Sequence, residues 1–379
     1  MKQGHSAQAV RCLSQALEQA PQQTALWAGL GVALRFAARL EDAARAFEKA
    51  LALEPGRADA QVHLGMIRLA QGRQDEGWPL YQARWRSPHW TERLRYPLEA
   101  LWQGRVSAGL RLLLWGEQGL GDCLQFARYA PWLQQMLQAH GASLVLEVPR
   151  PLQRLLRHSW PQLEVAVAGS VRGRFDAHLP LMDLPHRWGG VGTGDLLPYL
   201  PTALPYLFAP GHDEESAPAP TQPALKVGVV WQGRRTHPDD RMRSLPAAML
   251  QPLFGMPGLH WVSLQKDAAD HPVWLPETMK DCADFLDTAR VIQGLDVVLS
   301  IDSAVAHLAA AMGKAVLLLL PQVCDWRWGL DTDSTPWYPG MRLFRCGAQE
   351  SWPDVLLRVA ADLRCRTPPP QNAGTLVVG

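Results

Sequence analysis

The stretch DVVLSIDSAVAHLAAAMGKAVLLLLP, Asp296 to Pro321, constrains the fold more than any other. An apolar run of strand length ends in Asp302-Ser303. A run of small residues then carries one histidine, His307, to Gly313, and a second apolar run follows. Strand, short helix and strand in immediate succession read as one unit of a parallel sheet, because parallel neighbours need a crossover between them.

The same alternation fills most of the chain. LRLLLW (Leu110 to Trp115) reads as a buried strand and GEQGLGD as a glycine-rich turn. A helical run from Cys123 to about His140 is interrupted by Pro131. SLVLEV (Ser143 to Val148) and LEVAV (Leu163 to Val167) are strands around a helix near Leu152 to Arg157. The segment APGHDEESAPAPTQPAL (Ala209 to Leu225) breaks the pattern and reads as a linker. Beyond it come KVGVVWQG as a strand, PAAMLQPLF as a helix, HWVSLQ as a strand and Asp284 to Leu295 as an amphipathic helix. This predicts two α/β halves, each a parallel sheet covered by helices. Such sheets bind ligands beyond the carboxyl ends of their strands, so two of them predict an interdomain cleft.

The N-terminal part has a different period. Trp27, Leu30, Gly31, Leu34, Ala43, Phe47, Ala50 and Pro55 fall on the tetratricopeptide spacing. A step of about 34 residues onward gives Leu64, Gly65, Gly77 and Tyr81, and a step back gives Ala9, Leu13, Ala16 and Pro21. Small residues let paired helices approach, and an aromatic fills the space between them. The first repeat has only its second helix, Ser6 to Ala20, so Leu13 and Leu17 are expected on an apolar face lacking a partner from their own repeat. Arrays of this kind bind peptides or proteins in a concave face, or serve as structural arms.

Length and composition exclude several classes. A chain of 379 residues predicts two or three domains. The formal charge of +1, with no dense basic block, argues against nucleic acid as a partner. The six cysteines are scattered with no CxxC pair, as in reduced thiols of a cytoplasmic protein rather than a zinc site. No apolar run is long enough to span a bilayer, so no transmembrane segment is expected.

Two turns carry candidate chemistry. A helix beginning Ser303, Ala304, Val305, Ala306 offers free backbone N–H groups, and its dipole favours an anion there. His307 lies one turn on, on the face of Ser303, and its ring leans back toward the helix start. The plain alternatives are a packed histidine and, for Asp302, a helix cap. In GLGD, Gly119 and Gly121 allow a tight turn and Asp122 places a carboxylate at a helix start, where a cap is again the plain alternative. Glu117 lies two residues before the first of these glycines. Gln232 and Gly233 end one strand and Lys266 follows another. Arg241, Arg243 and Ser244 stand in DDRMRS, where a surface ion cluster with Asp239 and Asp240 is the alternative. DTD (Asp331 to Asp333) matches a metal-binding D-x-D only superficially, since it lies in a polar loop. Trp326, Trp328, Trp337 and Tyr338 are expected either to wall the cleft or to pack under that loop, packing being preferred.

From about Leu110 to Leu363 the chain resembles the heptosyltransferase-like glycosyltransferases of family nine, in particular bacterial proteins that fuse tetratricopeptide repeats to such a domain. Four stretches carry the resemblance: WGEQGLGDCLQFARYAP, KVGVVWQGRRTHPDDRMRSLP, VSLQKD, and DVVLSIDSAVAHLAAAMGK continuing to DWRWGLDTDSTPWYPGMRLFR. It implies a GT-B fold, two Rossmann-like domains, and transfer of a sugar from a nucleotide-diphosphate donor with inversion and without a metal or further cofactor. It places the donor's diphosphate at the helix start, at Ser303, Ala304 and His307, and leaves Asp302 as a donor-side residue that either caps the helix or binds ribose; Arg241, Arg243, Ser244 and Lys266 are candidates to stabilise the leaving diphosphate, and Gln232 and Gly233 to line the donor pocket. It makes Asp122 the catalytic base, with Glu117, Gly119 and Gly121 on the acceptor side. Family members often have Thr-Gly where this chain has Ser303-Ala304, so the donor can differ.

The expected organisation is therefore an arm of about two and a half repeats over 1–86, a connector over 87–109, an acceptor-side domain over 110–208 and a linker over 209–225. A donor-binding domain over 226–366 and a disordered tail over 367–379 complete it. The acceptor is expected to be a protein docked by the arm or a glycan such as lipopolysaccharide. A scaffold that has lost activity is the alternative from another class.

Overall fold

The computed structural model describes residues 3–90, 92–171, 173–188, 204–211, 224–236 and 240–367. Most of the expected linker (212–223), the expected tail from 368 and Asp239 lie outside the described residues. The chain divides into two compact units. The first comprises Met1–Gln153, Trp160–Thr202 and Gln322–Trp337; the second comprises Arg154–Ser159, Ala203–Pro321 and Tyr338–Gly379. The second half was expected to run unbroken from 226 to 366, but the segment Gln322–Trp337 groups with the first unit.

The first unit opens with helices α1 (Gln3–Gln19), α2 (Thr24–Phe36), α3 (Leu40–Leu53), α4 (Ala58–Ala70) and α5 (Gln74–Tyr81), each packed on the next. Small residues sit where these helices touch. A Cβ on Gly31 would lie 2.7 Å from the Phe47 ring, and one on Gly65 would lie 2.8 Å from the Tyr81 backbone nitrogen. Only glycine lets α2 meet α3, and α4 meet α5, this closely. Leu17 is buried and Leu13 packs against the same core, under α2. Their expected exposure is thereby corrected, because α1 finds its partner in the helix that follows it.

The same unit continues through β1 (Arg111–Trp115), α6 (Leu120–Phe126), α7 (Ala130–Gln138), β2 (Ser143–Val148), α8 (Arg150–Ser159), β3 (Glu164–Val167), β4 (Ala177–Pro180) and α9 (Leu184–Trp188), of which only the last part of α8 groups with the second unit. Pro131 falls in the first turn of α7, where its missing N–H has no helical partner to lose. The strands form a parallel sheet of order β3-β2-β1-β4.

The second unit holds β5 (Leu225–Val230), α10 (Asp240–Arg243), α11 (Gln251–Phe254), β6 (Leu259–Ser263), α12 (Phe285–Gln293), β7 (Val297–Ile301), α13 (Ala304–Ala311), β8 (Ala315–Leu320), β9 (Met341–Arg345) and α14 (Trp352–Arg366). Its sheet is parallel throughout, of order β6-β5-β7-β8-β9. Every residue of β7 is buried, as the near-continuous apolar sequence of a doubly covered strand requires. No described helix is long and apolar enough to cross a membrane.

Candidate functional site

The first cluster lies at the carboxyl end of β1. Asp122 is the third residue of α6, and its Oδ2 accepts the Gly119 amide at 2.8 Å. This is one half of a capping box and explains the carboxylate at this position in local terms. Its Oδ1 pairs with the Arg327 guanidinium, whose Nε donates to Gln125 Oε1 at 2.8 Å and whose Nη1 lies 2.8 Å from Asp325 Oδ1. A carboxylate offers about four lone-pair sites, so these partners leave Asp122 room to accept a further proton. Gly119 takes extended backbone angles as the N-cap and Gly121 lies inside α6.

Glu117, expected on the acceptor side, has a side chain with no exposed surface. Arg84 grips it with Nη2 at 2.8 Å and Nε at 3.1 Å, and the Met182 amide donates to it at 3.2 Å. Arg84 also pairs with Asp183, which is fully buried too. Burial pushes the Glu117 carboxyl up to about 7, Arg84 pulls it down, and Asp183 adds to the rise. Glu117 thus serves a buried ion triad rather than an exposed surface. Arg327, Arg84 and Asp183 escaped the sequence reading. The partners Glu117 and Asp183 of Arg84, and Asp122 of Arg327, are distant from them in the chain, and only a basic residue among tryptophans (WRW) hints at Arg327.

The second cluster gathers where β5 and β7 end. Ser303 is the N-cap of α13, and its Oγ accepts the Ala306 amide at 3.3 Å and lies 2.9 Å from Ser300 Oγ. Arg243 Nη1 donates to the Asp302 carbonyl at 3.0 Å, which brings a guanidinium to the start of that helix. Ser244 Oγ takes the Gly233 amide at 2.8 Å and donates to Asp240 Oδ1 at 2.8 Å. A Cβ on Gly233 would fall 2.5 Å from Asp240 Oδ1 and 2.8 Å from Arg243 Nη2, so it would displace these side-chain ends. The structure therefore brings Gly233, Arg243, Ser244, Asp302, Ser303 and Ala304 together.

The side chains of His307, Lys266 and Gln232 bond to partners outside this group. His307 is buried, with Nδ1 2.9 Å from the Tyr338 hydroxyl. The Lys266 ammonium donates to the Cys282 carbonyl at 2.7 Å. Gln232 Nε2 donates to Asp270 Oδ1 at 2.6 Å, and Arg241 is exposed. Trp326, Trp328, Trp337 and Tyr338 are all buried. A cavity of about 180 Å³ lies at the opposite end of α13, beside Pro205, Met312 and Lys314, and takes in none of the expected site residues.

No family model matches the chain. Among curated proteins it is similar to protein FlbA of Caulobacter vibrioides, 28% identical over 428 residues that cover 94% of this chain and 70% of the relative. Among solved structures it is similar to the E. coli ADP-heptose LPS heptosyltransferase II, with 14% identity and a TM-score of 0.46 over 68% of this chain and 99% of that one. It is also similar to a family 9 glycosyl transferase from Veillonella parvula, with 10% identity and a TM-score of 0.46 over 68% and 98% of the two chains.

Proposed function

We propose that the chain is an inverting, metal-independent glycosyltransferase of GT-B type that takes its sugar from a nucleotide diphosphate. The observation that carries this reading is the anion-ready turn of the second unit. The first amides of α13, small side chains at Ser303 and Ala304, and Arg243 at the Asp302 carbonyl meet beyond the carboxyl end of β7. Fixed donors of this kind stabilise the charge that grows on a departing diphosphate. In the reaction the acceptor oxygen bonds to the anomeric carbon as the carbon–oxygen bond to the diphosphate breaks. The electron pair leaves with the diphosphate, and the acceptor proton passes to Asp122.

Helices α1 to α5 are read as tetratricopeptide-type repeats over 1–86, with a protein acceptor docked on their groove. The close approach of α2 to the Phe47 ring at Gly31, and of α4 to the backbone of α5 at Gly65, favours that reading of the arm. The second reading for the acceptor is a glycan.

Calorimetric titration with a panel of nucleoside mono- and diphosphates tests the donor assignment. At least one diphosphate should bind more tightly than its monophosphate, and Arg243→Ala should weaken it. Absence of binding by every diphosphate and nucleotide sugar would remove the proposal.

A further inference from the structure

We infer that the segment from Tyr81 to Arg95 belongs to the catalytic turn: its side chains hold Gly116, Glu117 and Gln118 in place, and through them position Gly119 and Asp122. The catalytic part of this inference rests on the reading of Asp122 given above; the positioning part does not.

Four contacts converge on three consecutive residues. Arg95 Nη2 donates to the Gly116 carbonyl at 3.2 Å. Arg84 makes its two-pronged pair with Glu117 at 2.8 and 3.1 Å. The Gln118 amide donates to Glu92 Oε2 at 2.6 Å. The Gln118 side chain donates to the Tyr81 hydroxyl at 3.0 Å. Two of these reach backbone atoms, so they fix the path of the chain and not only a side chain.

Gln118 needs such support. Its φ is +60°, a left-handed conformation that a residue with a Cβ keeps only where its surroundings hold it. That turn sets the entry into α6, and its next residue is Gly119, the amide on which Asp122 is capped. Tyr81 secures the other side as well. Its ring is buried and lies 6.2 Å from Trp326, the residue before Arg327, and Trp78 lies 5.3 Å from the same indole. The end of the helical block therefore supports both partners of Asp122, the Gly119 amide and the Arg327 guanidinium. Tyr81, Arg84, Glu92 and Arg95 are positioning residues in this account.

Glu92 and Tyr81 give the test, made on the full chain. Glu92→Ala removes the acceptor for the Gln118 amide, whereas Glu92→Gln keeps a carboxamide oxygen there. Tyr81→Phe removes only the hydroxyl. Hydrogen exchange should speed up about tenfold at Gln118 and Gly119 in Glu92→Ala and Tyr81→Phe, return to the wild-type rate in Glu92→Gln, and stay unchanged in Leu112 to Leu114 of β1. Unchanged exchange in the turn, or equal acceleration in β1, would overturn the inference, the second because it signals a general loss of stability. Transfer is measured in parallel, and kcat should fall with the donor KM unchanged. Faster exchange with full transfer overturns the catalytic part while the positioning stands, and leaves the role of Asp122 to be decided by Asp122→Asn. If the wild type transfers nothing, the proposed function fails and the exchange result alone decides the positioning.

Discussion

Arg327 and Asp122, 205 positions apart in sequence, form an ion pair in which the guanidinium takes one carboxylate oxygen while the Gly119 amide takes the other. The pair is largely buried, with 7% and 15% of the two side chains exposed. A carboxylate held from two sides is preoriented. It can take a proton without first being placed, which is the geometric condition for a general base.

Replacing Asp122 by Asn separates the base from the cap. The carboxamide still offers an oxygen to the Gly119 amide but loses its charge toward Arg327. We expect stability to fall by about 1–2 kcal/mol, donor affinity to stay the same, and transfer to drop by roughly 10²–10⁴-fold. Single-turnover kinetics with a melt on the same sample measure both. More than about a tenth of wild-type transfer would leave Asp122 as a helix cap alone.

Gly233→Ala tests the anion turn through the backbone. The new methyl would meet Asp240 and Arg243, so Arg243 should leave the Asp302 carbonyl. Affinity for the nucleoside diphosphate should fall about tenfold or more, the order of one charge-assisted contact, with little change for the nucleoside alone. Titration calorimetry against both ligands distinguishes this from a general loss of fold.

How the sequence showed the sheets and hid the polar clusters follows from the range of the forces. LRLLLW and SLVLEV are local apolar runs, and the structure makes them neighbouring strands with Leu113 beside Val145. β4 is hard to see in sequence because AHLP is short and carries His178, a polar residue buried with bonds to Trp115 and the Pro97 carbonyl. The start of α13 is legible because its features are local: an N-cap serine and small side chains. Nothing near Glu117 in sequence announces Arg84, 33 positions upstream. His307 was placed on the correct helix, but its ring direction depends on Tyr338, 31 positions further on.

That placement changes what His307→Ala and Lys266→Ala should do. His307 is buried against Tyr338, so its loss should cost about 1–3 kcal/mol of stability and leave diphosphate affinity nearly as it was. Lys266 holds the Cys282 carbonyl, so its loss should weaken the diphosphate less than Arg243→Ala does. Melting curves and calorimetry on the three variants give the order. A loss with His307→Ala as large as with Arg243→Ala would return the imidazole to the donor site.

The buried triad predicts a pH dependence. Burial raises the Glu117 carboxyl from 4.5 to about 7, so the folded state holds that proton more tightly than the unfolded one. The stability it contributes is complete below about 4.5 and is lost as pH rises through about 7. His63, stacked on Phe47 and lowered by burial to about 4, acts in the opposite sense, so the readout is a difference between proteins. Glu117→Gln should melt higher than wild type at about pH 8 and lose that advantage near pH 5. Parallel profiles for the two proteins would show that Glu117 stays ionised across the window.

The triad also decides what removing the helical block should do. Arg84 is the cation between Glu117 and Asp183, and all three side chains are fully buried. Cutting the chain after Arg86 would take away that cation and leave two carboxylates facing each other in the core of the first unit. Breaking a buried pair on one side costs roughly 3–5 kcal/mol, a large part of the margin of an ordinary domain. The same cut removes Trp78 and Tyr81 from Phe126 and Trp326. Deletion of 1–86 should therefore give a chain that does not fold, rather than a donor hydrolase lacking its acceptor arm. Deletion of 1–39 removes α1 and α2 alone and keeps α4, α5 and Arg84. Because stacked helices depend mainly on their nearest neighbours, this shorter variant should fold and bind nucleotide diphosphate as the full chain does. If it also loses transfer to a protein acceptor, the groove of the first helices is where that acceptor docks; full transfer would direct the search to a glycan. A folded, nucleotide-binding product of the longer deletion would show that the triad is dispensable.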